Sequence, residues 1–304
     1  MDIAQLRYFV AVCEEGSFTR AAERCLVVQS ALSAQVAKLE AEHRTQLLVR
    51  SNRGVRLTSA GEQLLARARR ILAEVDEAIA EMVALRGSLT GVLRVGVINV
   101  VGQSAPAVDA ALAAFRELHP GVEIRIHDPG SFAIISGLRA GELDLGVVGV
   151  YPDEVPGELV HHLLCEHELV AVVHERHPLA GGEAVTLGEL AAHGPAVELR
   201  AASGLRHYVD VAFDRLAVNR QVAFEVATTD EQIRYAALGM GFALVPTSTV
   251  DPGQLRHQVA VLRVSDADLR HPLALVHRRP APTSPAARAL LTEILGRFQG
   301  DAEG

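Results

Sequence analysis

The stretch QSALSAQVAK, Gln29–Lys38, sets amides and hydroxyls beside an apolar stripe. Leu32, Val36 and Leu39 recur at spacings of four and three, so one helix face can enter a core. The other face offers Gln29, Ser30, Ser33, Ala34 and Gln35, small or amide-bearing and almost uncharged. A merely solvated helix carries more Glu, Lys and Arg. Such a face suits the floor of a major groove, where Gln pairs with adenine and Ser donates or accepts freely. Gln29, Ser30, Ser33 and Gln35 are therefore the candidate base-edge contacts. Arg50, Arg53 and Arg56 lie on or beside the loop of QLLVRSNRGVRLT, Gln46–Thr58, and suit phosphates or a minor groove. Thr19, Arg20 and Lys38 complete the candidate backbone contacts.

A second set of polar groups falls at the ends of expected strands, where loops meet helix starts. It comprises Asn99, Val100, Gln103 and Ser104, then Ser131 with Phe132, and later Arg200, Ser203, Arg206, Thr228 and Thr229. Hydroxyls at helix N-termini attract carboxylates or phosphates, so an anionic metabolite is the leading ligand class. Each hydroxyl could equally be a plain N-cap. Acid–base chemistry has Asp128, Asp144, His127 and Glu198 to draw on, but no nucleophile–base pair or two-carboxylate motif has a recognisable spacing. No catalytic residue is expected. Of thirteen histidines, His161, His162, His167, His174 and His177 cluster in sequence, yet no carboxylate or cysteine completes a ligand set. Gly239–Gly241 precedes a strand instead of following one, a poor dinucleotide signal. Neither metal nor cofactor is expected.

Three stretches position these groups. In the first, to about Thr58, Ile3, Leu6, Val10 and Cys13 form a helical stripe that Gly16 ends. Ser17 caps a second helix through Cys25, and a break at 26–28 leads into the helix that starts at Gln29. Two short helices, a turn and a third helix match a helix-turn-helix, and the basic hairpin after them reads as a wing. The second stretch, 59–88, is one long helix. Leu65, Ala68, Leu72, Val75, Ile79 and Met82 recur at three and four, a heptad-like seam that favours pairing of two chains. The third stretch alternates strands and helices, which implies parallel sheets covered by helices on both faces. It divides into one lobe of 89–162 with 269–304 and a second of 163–268, with a hinge-type cleft between them. The fold class is thus α/β overall: a winged helix-turn-helix, a linker helix and a two-lobed effector domain.

Charge separates the same stretches. The 304 residues carry a net charge of −8, which by itself discourages nucleic-acid binding. Residues 1–86, however, hold twelve basic against eleven acidic side chains, leaving seventeen against twenty-six beyond them. Only the N-terminal part can approach a phosphate backbone without a general electrostatic penalty. The three cysteines, Cys13, Cys25 and Cys165, are odd in number and form no close pair, which argues against a disulfide framework. No apolar run has spanning length and MDIAQLRYFV lacks a secretory pattern, so a cytoplasmic protein without membrane contact is expected.

Several phrases resemble the LysR-type transcriptional regulators nearly end to end: LRYFVAVCEEGSFTRAAERC, QSALSAQVAKLE and RGVRLTSAGEQLL, then GVLRVGV, LRAGELDLGVVG, ASGLR and GMGFALVP. The resemblance implies promoter DNA, a small-molecule effector and RNA polymerase as partners. It also implies homodimers assembling to homotetramers, and lobes like those of periplasmic binding proteins. Solute binding or enzymatic use of the cleft is the alternative. Some positions depart from the family pattern. Val28 replaces the usual Ser before Gln29, which removes an N-cap worth about 1 kcal/mol. Ala34 stands where Arg or His is frequent, His43-Arg44 where Leu-Gly is usual, and Leu48 at the usual wing Phe.

Overall fold

The computed structural model describes residues 1–51, 54–84, 89–98, 105–250, 258–282 and 284–301. The chain divides into two compact units, one spanning Met1–Ser88 and the other nearly all of the remainder.

In the first unit, α1 (Ile3–Glu15) starts at a capping box between Asp2 and Gln5 and ends at Gly16, whose φ of 59° needs the left-handed freedom of glycine. The Ser17 side chain accepts from Arg20 N and starts α2 (Phe18–Arg24). The next helix, α3 (Gln29–His43), has Val28 at its N-cap and no side-chain cap hydrogen bond. Leu32, Val36 and Leu39 of α3 pack with Leu6, Phe9, Val12, Phe18 and Ala21. Strands β1 (Leu48–Ser51) and β2 (Gly54–Leu57) pair antiparallel, Leu48 opposite Leu57. Glu40 ties this hairpin to α3, its Oε1 accepting from Leu47 N at 2.8 Å and Leu48 N at 3.0 Å. Thr58 Oγ1 accepts from Gly61 N at 3.0 Å and so caps α4 (Ser59–Ala84).

The second unit runs β3 (Gly91–Val97), α5 (Pro106–Leu118), β4 (Val122–His127), α6 (Ser131–Ala140) and β5 (Leu145–Val148), with the three strands parallel in the order β4-β3-β5. A long strand, β6 (Leu159–His174), then leaves this lobe for the second one. That lobe contains β7 (Ala184–Val185), α7 (Leu187–His193), β8 (Ala196–Leu199), α8 (Gly204–Arg215), β9 (Val222–Val226), α9 (Thr229–Ala237), β10 (Ala243–Pro246) and β11 (Val259–Val264). The chain returns along β12 (Arg270–Arg278) and ends in α10 (Pro285–Asp301).

Two expectations change. The sheets are not wholly parallel, because β12 runs antiparallel to both β5 and β6, and β10 and β11 run antiparallel to β6. Both crossing strands must run back through a sheet they did not start, which reverses their direction. The lobe change falls at Glu168–Leu169 and not at residue 163. Up to Glu168 the strand β6 pairs with β12, and Leu164 and Cys165 pack on the first lobe's core. From Leu169 on it pairs with β10 and β11, and Leu169, Ala171 and Val173 enter the second core. Among the described residues no helix is long and apolar enough to cross a membrane.

Candidate functional site

On α3 the buried and exposed positions separate as their types require. Leu32 and Leu39 are fully enclosed and Val36 almost so, while Gln29, Ser30, Ala34 and Lys38 are exposed and Ser33 and Gln35 half-buried. Packing of one stripe on α1 and α2 therefore turns the amide and hydroxyl positions outward. Thr19 and Arg20 are exposed at the start of α2. The Arg20 guanidinium folds back onto Glu15, donating to its carbonyl and standing 3.7 Å from its carboxylate. Lys38 Nζ is 3.9 Å from Glu42. Arg56 projects from β2 into solvent, and the Arg50 side chain and Arg53 lie outside the described residues.

The turn before α3 adds Leu26, which sequence patterning passed over as a break, to Val28. Leu26 is 92% exposed with a φ of 56°, and Val28 is 69% exposed. Exposed apolar side chains beside an uncharged helix face make the entrance to α3 unusually dry.

The seam of α4 has two parts. Ala68 is buried in the core of the first unit, and Leu65 and Leu72 pack against that core, so these three serve their own unit. Val75 is half-buried. Ile79 and Met82 are 54% and 70% exposed and enter no core among the described residues.

In the second unit a cavity of about 240 Å³ lies between the lobes, lined from one side by Ile98, Asp128–Ser131 and His271 and from the other by Leu199, Arg200, Ala202–Leu205, Ala227 and Thr228. Glycines let its walls close. A Cβ at Gly204 would stand 2.1 Å from the Gly149 carbonyl oxygen, and one at Gly130 (φ 89°) 2.8 Å from that of Ala202. Three helix starts converge here, those of α6, α8 and α9. They are not equivalent. Thr228 and Glu231 form a capping box that satisfies the start of α9, whereas Ser203 at the start of α8 makes no side-chain cap bond. The first N–H groups of α8 and the Arg200 guanidinium are thus the cavity's electropositive part. Asp128, whose Oδ1 accepts from Gly130 N at 3.3 Å, is its acidic member.

Of the ligand candidates, Ser131, Arg200, Ser203 and Thr228 line the cavity. Ser131 is fully buried, its Oγ accepting from Gly149 N at 3.0 Å. Phe132, Arg206 and Thr229 do not line it. Phe132 points outward and meets His207 edge to face. Arg206 donates to Asp210 at 2.8 Å and to the Leu199 carbonyl at 3.0 Å, so it braces the wall from behind. Thr229 is buried in the first turn of α9. Asn99, Val100, Gln103 and Ser104 lie outside the described residues.

The acid–base candidates are dispersed. Glu198 is enclosed with Arg220, 2.7 Å away, and Arg220 stacks on Phe213 with its guanidinium carbon 4.3 Å from the ring centre. Asp144 accepts from Arg94 N at 2.7 Å, its carboxyl pushed up by burial. His127 is exposed, leaving Asp128 alone of the four at the cavity. The residue that sequence reasoning passed over is His271. It is 1% exposed, neither ring nitrogen has a hydrogen-bond partner among the described residues, and burial lowers its pKa from 6.5 to about 3. No local signal marks it, because it sits inside the apolar run of β12.

Residues 3–62 match the model of the bacterial regulatory helix-turn-helix protein, lysR family, and residues 86–299 match that of the LysR substrate binding domain. Among curated relatives, an uncharacterized HTH-type transcriptional regulator of Escherichia coli, YnfL, is 33% identical over 98% of this chain and 99% of its own length. The RuBisCO operon transcriptional regulator of Allochromatium vinosum is 30% identical over 97% and 96%. Among solved structures, a point variant of full-length OxyR from Pseudomonas aeruginosa superposes with a TM-score of 0.74 at 25% identity, covering 97% of this chain and 94% of that one.

Proposed function

Because the chain belongs to the LysR family of DNA-binding transcriptional regulators with an effector-binding domain, we propose that it reads promoter DNA with the outer face of α3 and senses a small anionic metabolite in the interlobe cavity. One observation carries the ligand half: an α8 start without a side-chain cap beside Arg200 in the interlobe cavity, where an anion gains N–H donors and a countercharge together. The DNA half is supported by the division of α3 into a buried aliphatic stripe and an exposed amide and hydroxyl face.

In this reading Gln29, Ser30, Ser33 and Gln35 meet base edges, and Thr19, Arg20, Lys38, Arg50, Arg53 and Arg56 meet the sugar–phosphate backbone. The exposed Ile79 and Met82 end of α4 pairs two chains, which doubles the DNA contacts and sets half-site spacing. Dimers pair to a homotetramer that works in the cytoplasm, and ligand binding changes how the paired units sit on DNA before RNA polymerase. Thiol sensing of an oxidant finds no support at the cavity. None of Cys13, Cys25 and Cys165 lines it, and burial pushes the Cys165 thiol up to about 11, away from reactive thiolate.

The experiment is operator binding by the full chain against the DNA upstream of its own gene, over a salt series. Arg56→Ala should weaken all sequences alike and lower the slope of log K against log[salt] by about 1. Gln29→Ala should instead change base preference, by about 1–3 kcal/mol at the base it reads. Unaltered binding in both variants would remove the DNA assignment.

A further inference from the structure

His271 has no evident structural employment. A buried imidazole normally offsets its burial with a hydrogen bond, and leaving one unmade costs stability. Here the ring is enclosed on β12, opposite His167 of β6, with both nitrogens unpaired among the described residues. It packs on Gly149, where a Cβ would stand 2.2 Å from Nε2. That contact puts it in the same neighbourhood as the open start of α8, because a Cβ at Gly204 would lie 2.1 Å from Gly149 O and 3.0 Å from Ser131 Oγ. His271 is one of the residues that line the cavity, and the charged residues that share that lining are Asp128 and Arg200.

We infer that His271 is a ligand-contacting residue, a neutral imidazole kept without a partner so that an oxygen of a small carboxylic acid in the cavity can accept its N–H. The inference rests on the reading of the cavity as the effector site and assigns its unaccounted donor. Three features select the ligand class. The α8 start and Arg200 favour a carboxylate, and His271 offers a further donor beside them. The volume of about 240 Å³ is below the range usual for drug-sized ligands, so the acid is small. Binding then removes an internal cost of the free protein, and the same residue that weakens the empty lobe pair strengthens the filled one.

The test uses the full chain and three variants, His271→Leu, His271→Gln and Arg200→Ala, with succinate as probe and uncharged succinamide as control. Without probe at pH 7, His271→Leu should melt a few degrees above the parent, since an apolar side chain of similar volume leaves no nitrogen unpaired. A lower melting temperature would mean the ring has a structural partner and would overturn the inference. With succinate, the parent should show a saturable rise in melting temperature that succinamide does not produce. Arg200→Ala and His271→Leu should each need at least tenfold more succinate, and His271→Gln, which keeps an N–H donor, should recover part of the loss. Binding lost in Arg200→Ala but intact in His271→Leu would overturn the role of His271 and leave the cavity reading standing. Binding unaffected by both variants, or absent with succinate, would overturn the cavity reading itself.

Discussion

The surface of α3 and the interlobe cavity solve opposite problems with the same residue types. On α3, hydroxyls and amides lie at or near the surface of a helix whose other face, Leu32, Val36 and Leu39, packs on Phe9, Phe18 and Ala21. The exposed Gln29 and Ser30 carry little burial cost in the free protein, because water can serve their donors and acceptors. In the cavity, Ser131 and His271 are out of water before any ligand arrives. Ser131 accepts from Gly149 N, whereas His271 goes unpaired. One site is therefore satisfied in the free protein, and the other stores an unmet demand. On the proposed function, polar groups read DNA where they are solvated and a metabolite where they are not.

The largest expected effect sharpens this contrast through pH. The folded-state pKa of His271 is depressed from 6.5 to about 3, so folding favours the neutral ring. Its contribution is intact at neutral pH and is lost as pH falls below 6.5 toward about 3. Relative to His271→Leu, the parent should lose stability by about 1.4 kcal/mol per pH unit in that window. Urea unfolding at several pH values reads this directly, and parallel curves for the two proteins would contradict it.

Next in size is Gly204→Ala. The added Cβ would collide with backbone at Gly149, which can yield only by shifting a wall, at a cost of about 1–3 kcal/mol. Melting of the second unit should fall and the response to acids should vanish, while operator binding without ligand stays within twofold. Loss of DNA binding would break the separation of the two sites.

The smallest effect tests the exposed site. Val28→Ser supplies the missing N-cap of α3, worth about 1 kcal/mol, and a hydroxyl for a nearby phosphate. Operator affinity in a gel-shift titration should rise roughly fivefold. An unchanged or lower affinity would mean that Leu26 and Val28 are read as apolar contacts in their own right.

How much of each region was legible follows from the range of the interactions that build it. In the first unit, helix boundaries followed from Gly16, Ser17 and Thr58, the core from the spacing of Leu32, Val36 and Leu39, and the outward face was what remained. All of these are local in sequence. The cavity was half legible. Ser131, Arg200, Ser203 and Thr228 were recognisable as polar groups at helix starts, but Arg206 looked equivalent to Arg200 until Asp210 and the Leu199 carbonyl claimed it. The seam of α4 read as continuous, although Ala68 is buried in its own unit and Met82 is exposed.

From sequence alone come the element types, the winged helix-turn-helix, the family and the electropositive bias of the first 86 residues, because periodicity, caps and charge act over a few residues or sum over many. The three-dimensional packing alone decided that β6 changes sheet at Leu169, that Gly149 touches both Gly204 and His271, and that a histidine within an apolar strand lines a cavity with no hydrogen-bond partner among the described residues. Those facts depend on which distant segments come together, and a hydrogen bond left unmade depends on what surrounds a side chain in space, which its neighbours in the chain do not encode.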